Sequence, residues 1–169
     1  MNIKFKKANN NYEKIWKVVY KMKVKDCMCT EVCCVKPETK VSDVAKLMCE
    51  NHVGSIPICD KNNCICGIVT DRDIILRTVA CEKDLKNTPV SEVMSSQVCT
   101  CNENEDVSNA ENIMGINKIR RLPVCDNNNK VIGMLTLGDI AQNRDKLDEN
   151  QICMTFEDIC DCNTQKNAE

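Results

Sequence analysis

Gly67-Ile68-Val69-Thr70-Asp71-Arg72-Asp73-Ile74 occurs again sixty-six residues later as Gly133-Met134-Leu135-Thr136-Leu137-Gly138-Asp139-Ile140. In both copies a glycine opens a short apolar run of strand type, a threonine closes it, and an aspartate three residues on falls in the first turn of a predicted helix. A strand feeding a helix N-terminus presents unpaired backbone N–H groups and the positive end of the helix dipole, a natural seat for an anion. The same Thr-x-x-Asp spacing is that of a capping box, in which the two side chains satisfy the helix's own N–H groups. The two roles are compatible, and the duplication shows that the unit carrying them is used twice.

Working outward, Val24–Ile74 lies on Val90–Ile140 without a gap, and seventeen of the fifty-one aligned positions are identical. Within the first copy, Val32 to Val35 reads as a strand. Val41, Val44, Ala45, Leu47 and Met48 recur at helical spacing with Thr39 as a candidate cap. Ser55–Cys59 and Cys64–Val69 read as strands about a turn at Asp60–Asn63, and Asp71 to about Ala80 as a second helix. The second copy repeats the order at Val98–Cys101, Val107–Met114, Leu122–Cys125, Asp126–Asn129, Val131–Leu135 and Leu137 onward. The predicted class is α/β (α+β): two β-α-β-β-α units, neither large enough to stand comfortably alone, packed sheet to sheet. The divisions are a basic extension at 1–21, repeats at 22–85 and 86–145, and a tail at 146–169.

The chain has 169 residues and a formal charge of −2. That near-neutrality conceals an asymmetry, since residues 1–25 hold eight lysines and a single acid, Glu13, leaving the body acidic. An acidic body argues against nucleic acid, whose binding rests on Lys and Arg neutralising phosphates. No run of eighteen apolar residues and no secretory h-region is present, so a cytoplasmic protein without a membrane span is expected. In that setting the fifteen cysteines are read as reduced thiols serving as small hydrophobes. Four close pairs, Cys27/Cys29, Cys64/Cys66, Cys99/Cys101 and Cys160/Cys162, lack the spacing of a structural zinc site. With His52 as the single histidine and no nucleophile, base and orienter grouping, the chain is expected not to be an enzyme. Tyr12, Ile15, Trp16 and Val19 fit one face of a basic amphipathic helix. Ile152, Phe156 and Ile159 fit a short helix that must dock to be ordered, Phe156 and Ile159 being buried by it; Asn163–Glu169 is polar and expected to be disordered.

Several motifs occur together, in order, in both copies: Asp26-Cys27-Met28 and Glu92-Val93-Met94, Ser55-Ile56-Pro57-Ile58 and Arg120-Arg121-Leu122-Pro123-Val124, then Gly-x-x-Thr-x-x-Asp. In this they resemble a pair of cystathionine-β-synthase (CBS) domains, the Bateman module, over about residues 22–145. The resemblance implies a pseudo-twofold disc with two clefts, one or both taking an adenosine-containing regulatory ligand such as AMP, ATP or NAD. It implies no obligatory cofactor, and often a homodimer whose state an unidentified protein partner reads. Carried over, Thr70 and Thr136 would meet phosphate or ribose, Asp73 and Asp139 the ribose hydroxyls, and Arg120 and Arg121 a phosphate. Ile56, Ile58, Leu122 and Val124 are candidates for apolar walls around adenine. In the first copy Gly54 and Ser55 stand where the second has the two arginines, so lopsided clefts are expected. The alternatives are a dimerising interaction module with empty clefts, or a cysteine-based redox or metal protein.

Overall fold

The structure, a computed structural model, describes residues 21–161; the readings for residues 1–20 and for Asn163–Glu169 lie outside the described residues. The first unit comprises α1 (Val41–Glu50), β1 (Ser55–Cys59), β2 (Ile65–Thr70) and α2 (Asp71–Ile74), the last prolonged by a π-helical stretch, Ile75–Val79. The second comprises β3 (Cys101–Asn102), α3 (Val107–Asn117), β4 (Arg121–Cys125), β5 (Val131–Thr136) and α4 (Leu137–Gln142), and α5 (Glu149–Cys160) follows. β1 and β2 form an antiparallel pair, while β4 lies between parallel β3 and antiparallel β5. Among the described residues no helix is long and apolar enough to cross a membrane.

Two local expectations are corrected. The strand expected at Val32–Val35 reduces to one bridge, Val35 to Ile58, and that at Val98–Cys101 is replaced by the two-residue β3, which shares only Cys101 with it. The cause is that each segment starts on the far unit: Cys29 pairs with Met134 of β5 and Ser95 with Ile68 of β2, so the intervening residues span the gap between units. Thr39 is not the α1 cap. Lys40 occupies that position without a side-chain bond, and the Thr39 hydroxyl accepts from the Lys36 N–H at 3.2 Å in the preceding turn.

The two units complete each other. The Val24 N–H donates to the Glu105 carbonyl at 3.0 Å, and its counterpart, the Val90 N–H, donates to the Thr39 carbonyl at 2.8 Å. Val24 and Cys27 thereby enter the core of the second unit, beside Val107, Met114, Leu122 and Leu135. Val90 and Val93 enter that of the first, beside Val41, Val44, Ile56 and Val69. A shift of sixty-six residues carries the Cys29–Met134 bridge onto Ser95–Ile68, Lys23–Asp106 onto Pro89–Lys40, and Cys64–Lys130 onto itself. That is pseudo-twofold symmetry, with the last pair on the axis. The motif glycines are explained here: a β-carbon on Gly67 would collide with the Met94 sulfur, and one on Gly133 with the Met28 sulfur. Glycine is needed because the crossing segment of the other unit lies directly on the strand.

Candidate functional site

Between the units opens a cleft of about 890 Å³, within the size range of small-molecule sites. The first unit contributes Cys29, Glu31, Val32 and Cys33 from its crossing segment, and the stretch from Asn51 through Ser55 and Pro57. The second contributes Arg120, Arg121, Met134 and Thr136 to Asp139. The remaining wall is α5, through Phe156, Ile159 and Cys160.

Both Thr-x-x-Asp motifs form complete capping boxes. Thr136 Oγ1 accepts from the Asp139 N–H at 3.2 Å, and Asp139 Oδ2 accepts from the Thr136 N–H at 2.8 Å and its hydroxyl at 2.7 Å. Thr70 and Asp73 match these bonds at 3.1, 2.9 and 2.7 Å. The helix N-terminus is therefore largely satisfied from within, since the Leu137 N–H also donates to the Arg120 carbonyl at 3.1 Å. What the cap leaves over differs between the copies. Asp139 Oδ1 has no partner among the described residues, whereas Asp73 Oδ1 is held by Arg77 Nη2 at 3.1 Å. Arg77 is locked in place, its Nη1 donating to the Val93 carbonyl at 2.7 Å and to Ser95 Oγ at 3.3 Å. At the position matching Arg77 the second copy has Asn143, whose amide donates to the Asp139 carbonyl at 3.0 Å and to Cys27 Sγ at 3.5 Å, leaving the carboxylate alone.

Arg120 and Arg121 line the cleft and make no ion pair among the described residues, although the Asp71 carboxylate faces Arg121 across Gly54. Gly54 is what admits one of them. A β-carbon there would lie 2.9 Å from Arg121 Nη2, so the missing arginine of the first copy makes room for the arginine of the second.

The predicted apolar wall is placed elsewhere. Ile56, Ile58, Leu122 and Val124 are fully buried in the two cores and none lines the cleft. Side chains alternate along a strand, and it is Ser55, Pro57 and Arg121 that share the cleft face, with the isoleucines, Leu122 and Val124 one residue out of phase. Thr70 and Asp73 do not line this cleft; they occupy the positions equivalent under the repeat to Thr136 and Asp139, with Arg77 beside them. His52 follows α1 with φ of 53° and lines the cleft rim, as its matching residue Lys118 caps α3 in the left-handed region. Phe156, expected to be buried, is 40% exposed, because the docked face of α5 is Ile152, Thr155 and Ile159. The part of Arg77 in holding Asp73, and of Phe156 in lining the cleft, escaped the motif reading because neither lies in a repeated motif. The departure of Asn143 from Arg77 between copies is the signal that was present.

Among the described residues Cys27, Cys59, Cys101 and Cys125 are buried thiols outside any disulfide. Burial, then the charge of Asp139, pushes the Cys27 thiol up to about 11, and burial pushes Cys101 up to about 12, so neither is a ready thiolate nucleophile. Among the described residues no group of three or more His, Cys, Asp or Glu side chains is arranged to hold a metal ion.

The CBS domain family matches residues 24–79 and 90–145, the two units described above. CBS domain-containing protein YhcV of Bacillus subtilis is 43% identical over 121 residues, which is 72% of this chain and 84% of that protein. Among solved structures, CBSX2 in complex with AMP is 28% identical with a TM-score of 0.63, over 72% of this chain and 95% of that one. The CBS domain pair of MJ0100, in complex with 5′-methylthioadenosine and S-adenosyl-L-methionine, is 26% identical with a TM-score of 0.66, over 73% and 95%. With both units matched and their mutual completion of each other's cores on hand, the chain belongs to the CBS domain family, as a tandem pair.

Proposed function

We propose that the chain is a non-catalytic regulatory module that takes one adenosine-containing ligand, of AMP, ATP or NAD type, in the 890 Å³ cleft. The observation that carries this is the presence together in its lining of Asp139, whose Oδ1 has no partner among the described residues, and of Arg120 and Arg121, which make no ion pair there. A carboxylate accepts from the vicinal hydroxyls of a ribose, and a guanidinium fork complements a phosphate. Thr136, whose hydroxyl already serves the cap, lines the same wall, and Val32, Val53 and Pro57 supply apolar surface. Solved CBS pairs bound to AMP or to methylthioadenosine and S-adenosylmethionine share the adenosine moiety, which supports that part of the ligand. The equivalent position at Thr70 and Asp73 is the poorer site, because Arg77 already occupies the Asp73 oxygen a ribose would need. In this reading the ligand alters a homodimer of cytoplasmic chains that a protein partner senses. Ile75, Leu76 and Val79, exposed together along α2 and its extension, offer the second copy an apolar face.

Calorimetry and thermal melts with AMP, ATP and NAD test the reading. A ligand present at one hundred times its Kd stabilises the folded chain by about 2.7 kcal/mol. Asp139→Asn keeps an acceptor for the cap but removes the charge, and is expected to weaken binding by roughly tenfold to a hundredfold. Failure of all three nucleotides to shift the melt would leave the pair as an interaction module with empty clefts.

A further inference from the structure

Residues 149–160 lie beyond both segments matched by the family, yet they form a helix that closes one side of the cleft. Its start is built by Asp148, whose carboxylate accepts from the Asn150 N–H at 2.9 Å. Ile152, Thr155 and Ile159 recur on one face and are buried against the second unit. The docking is specific to that unit. Gly115 of α3 replaces the Cys49 of α1, and a β-carbon there would lie 3.0 Å from Asp158 Oδ2, so the two helices cross where the side chain is missing. Gln151 Nε2 donates to Asn112 Oδ1 at 3.0 Å across the same crossing. Glu111, one turn before Gly115, replaces Ala45 and is 2% exposed with its Oε1 unpartnered.

The placement of Phe156 is the point of interest. A phenyl group four residues after Ile152 and three before Ile159 sits on the shoulder of the apolar face, turned into the cleft rather than into the core, and it stays 40% exposed. A large aromatic face at a cavity also lined by a carboxylate with one unpartnered oxygen and by two arginines that form no ion pair suits a flat, uncharged ring at one end of an anionic ligand.

We propose that α5 is the specificity wall of the cleft, with Phe156 stacking on the heterocyclic base of the bound nucleotide, so that occupancy and docking of α5 reinforce each other. This rests on the nucleotide reading above and adds to it the residue that discriminates a nucleotide from a sugar phosphate. Stacking a base on an aromatic side chain contributes about 1–3 kcal/mol, which corresponds to roughly a fivefold to hundredfold change in Kd.

The test is calorimetry of the full chain with AMP, ATP and NAD, and with ribose 5-phosphate as the probe lacking a base, on wild type, Phe156→Leu and Asp139→Asn. Leucine keeps apolar bulk on the shoulder of α5, and hydrogen exchange of residues 149–160 reports whether the helix is still docked. The expected result is that Phe156→Leu weakens the nucleotides at least fivefold, leaves ribose 5-phosphate unchanged, and abolishes the extra protection of α5 that nucleotide confers on wild type. Nucleotide binding that falls with Asp139→Asn but is unmoved by Phe156→Leu would overturn the stacking role and leave the cleft reading standing. Equal loss of nucleotide and ribose 5-phosphate would make Phe156 a packing residue and overturn it as well. Absence of nucleotide binding to wild type would overturn both.

Discussion

Glu111 makes the stability of the α5 wall depend on pH. Its carboxyl, on α3, is buried, and burial foremost, then the charge of Asp148 just before α5, pushes it from 4.5 up to about 7. The unfolded chain releases this proton near 4.5, while the folded chain keeps it to about 7, so the folded state binds the extra proton between those values. Stability from this group is therefore fully present below 4.5 and is lost as pH rises through 7. At 1.36 kcal/mol for each tenfold change in proton activity, the interval between 4.5 and about 7 amounts to about 3 kcal/mol, or a Tm lower by about 10 °C on the alkaline side. Asp106 and Asp126 work the other way. Lys23 beside Asp106, and the Lys130 N–H donating to Asp126, hold these carboxyls below their usual value, so their contribution is lost only as pH falls through the acid range. Melts of wild type and Glu111→Gln at intervals from pH 5 to 8.5 separate the two effects, because the acids are common to both proteins. Wild type should lose Tm across that window and the glutamine variant should stay nearly level, overtaking it above pH 7. A difference between the two proteins that is constant over the window would refute the reasoning, since Glu111 would then not be titrating where its burial places it.

The remaining predictions concern the cleft and its wall. Asp73→Asn should leave nucleotide affinity within about twofold while Asp139→Asn costs at least tenfold, read by calorimetry, because only Asp139 has an oxygen to spare. Arg77→Ala should release Asp73 and raise the stoichiometry above one nucleotide per chain; a wild-type stoichiometry of two would show that the Arg77 pair does not close the equivalent position at Asp73. Gly115→Val should drive a side chain into Asp158, lower stability by roughly 1–3 kcal/mol and speed cleavage of the 149–160 helix by protease, whereas Cys49→Val at the matching exposed position should be nearly silent. Gly54→Leu should displace Arg121 and reduce affinity for ligands carrying phosphate more than for adenosine, measured side by side.

Much of this molecule was legible in the chain itself, because period and repetition are local properties. Helical spacing at Val41 to Met48, the apolar runs about Pro57 and Pro123, and the ungapped sixty-six-residue repeat determined the order of the first helix, the hairpin and the capped helix in each unit, and the pairing of two units, but not the extent of the opening strands. The Thr-x-x-Asp spacing determined both capping boxes, since a cap is made within four residues. Tertiary structure decided what these local signals leave open. Whether Ile56 or Ser55 faces the cleft depends on which side of β1 the core lies, and a shift of one residue exchanges the faces. The crossing of Val24 into the second core and Val90 into the first follows from packing between segments far apart in sequence, as does the glycine at 67 beneath Met94. The inequality of the two copies was likewise only half visible. Gly54 against Arg120 announces it in the sequence, but the guanidinium of Arg77 reaching Asp73, and the phenyl of Phe156 reaching a cleft twenty residues upstream of it, exist only once the helices that carry them are docked.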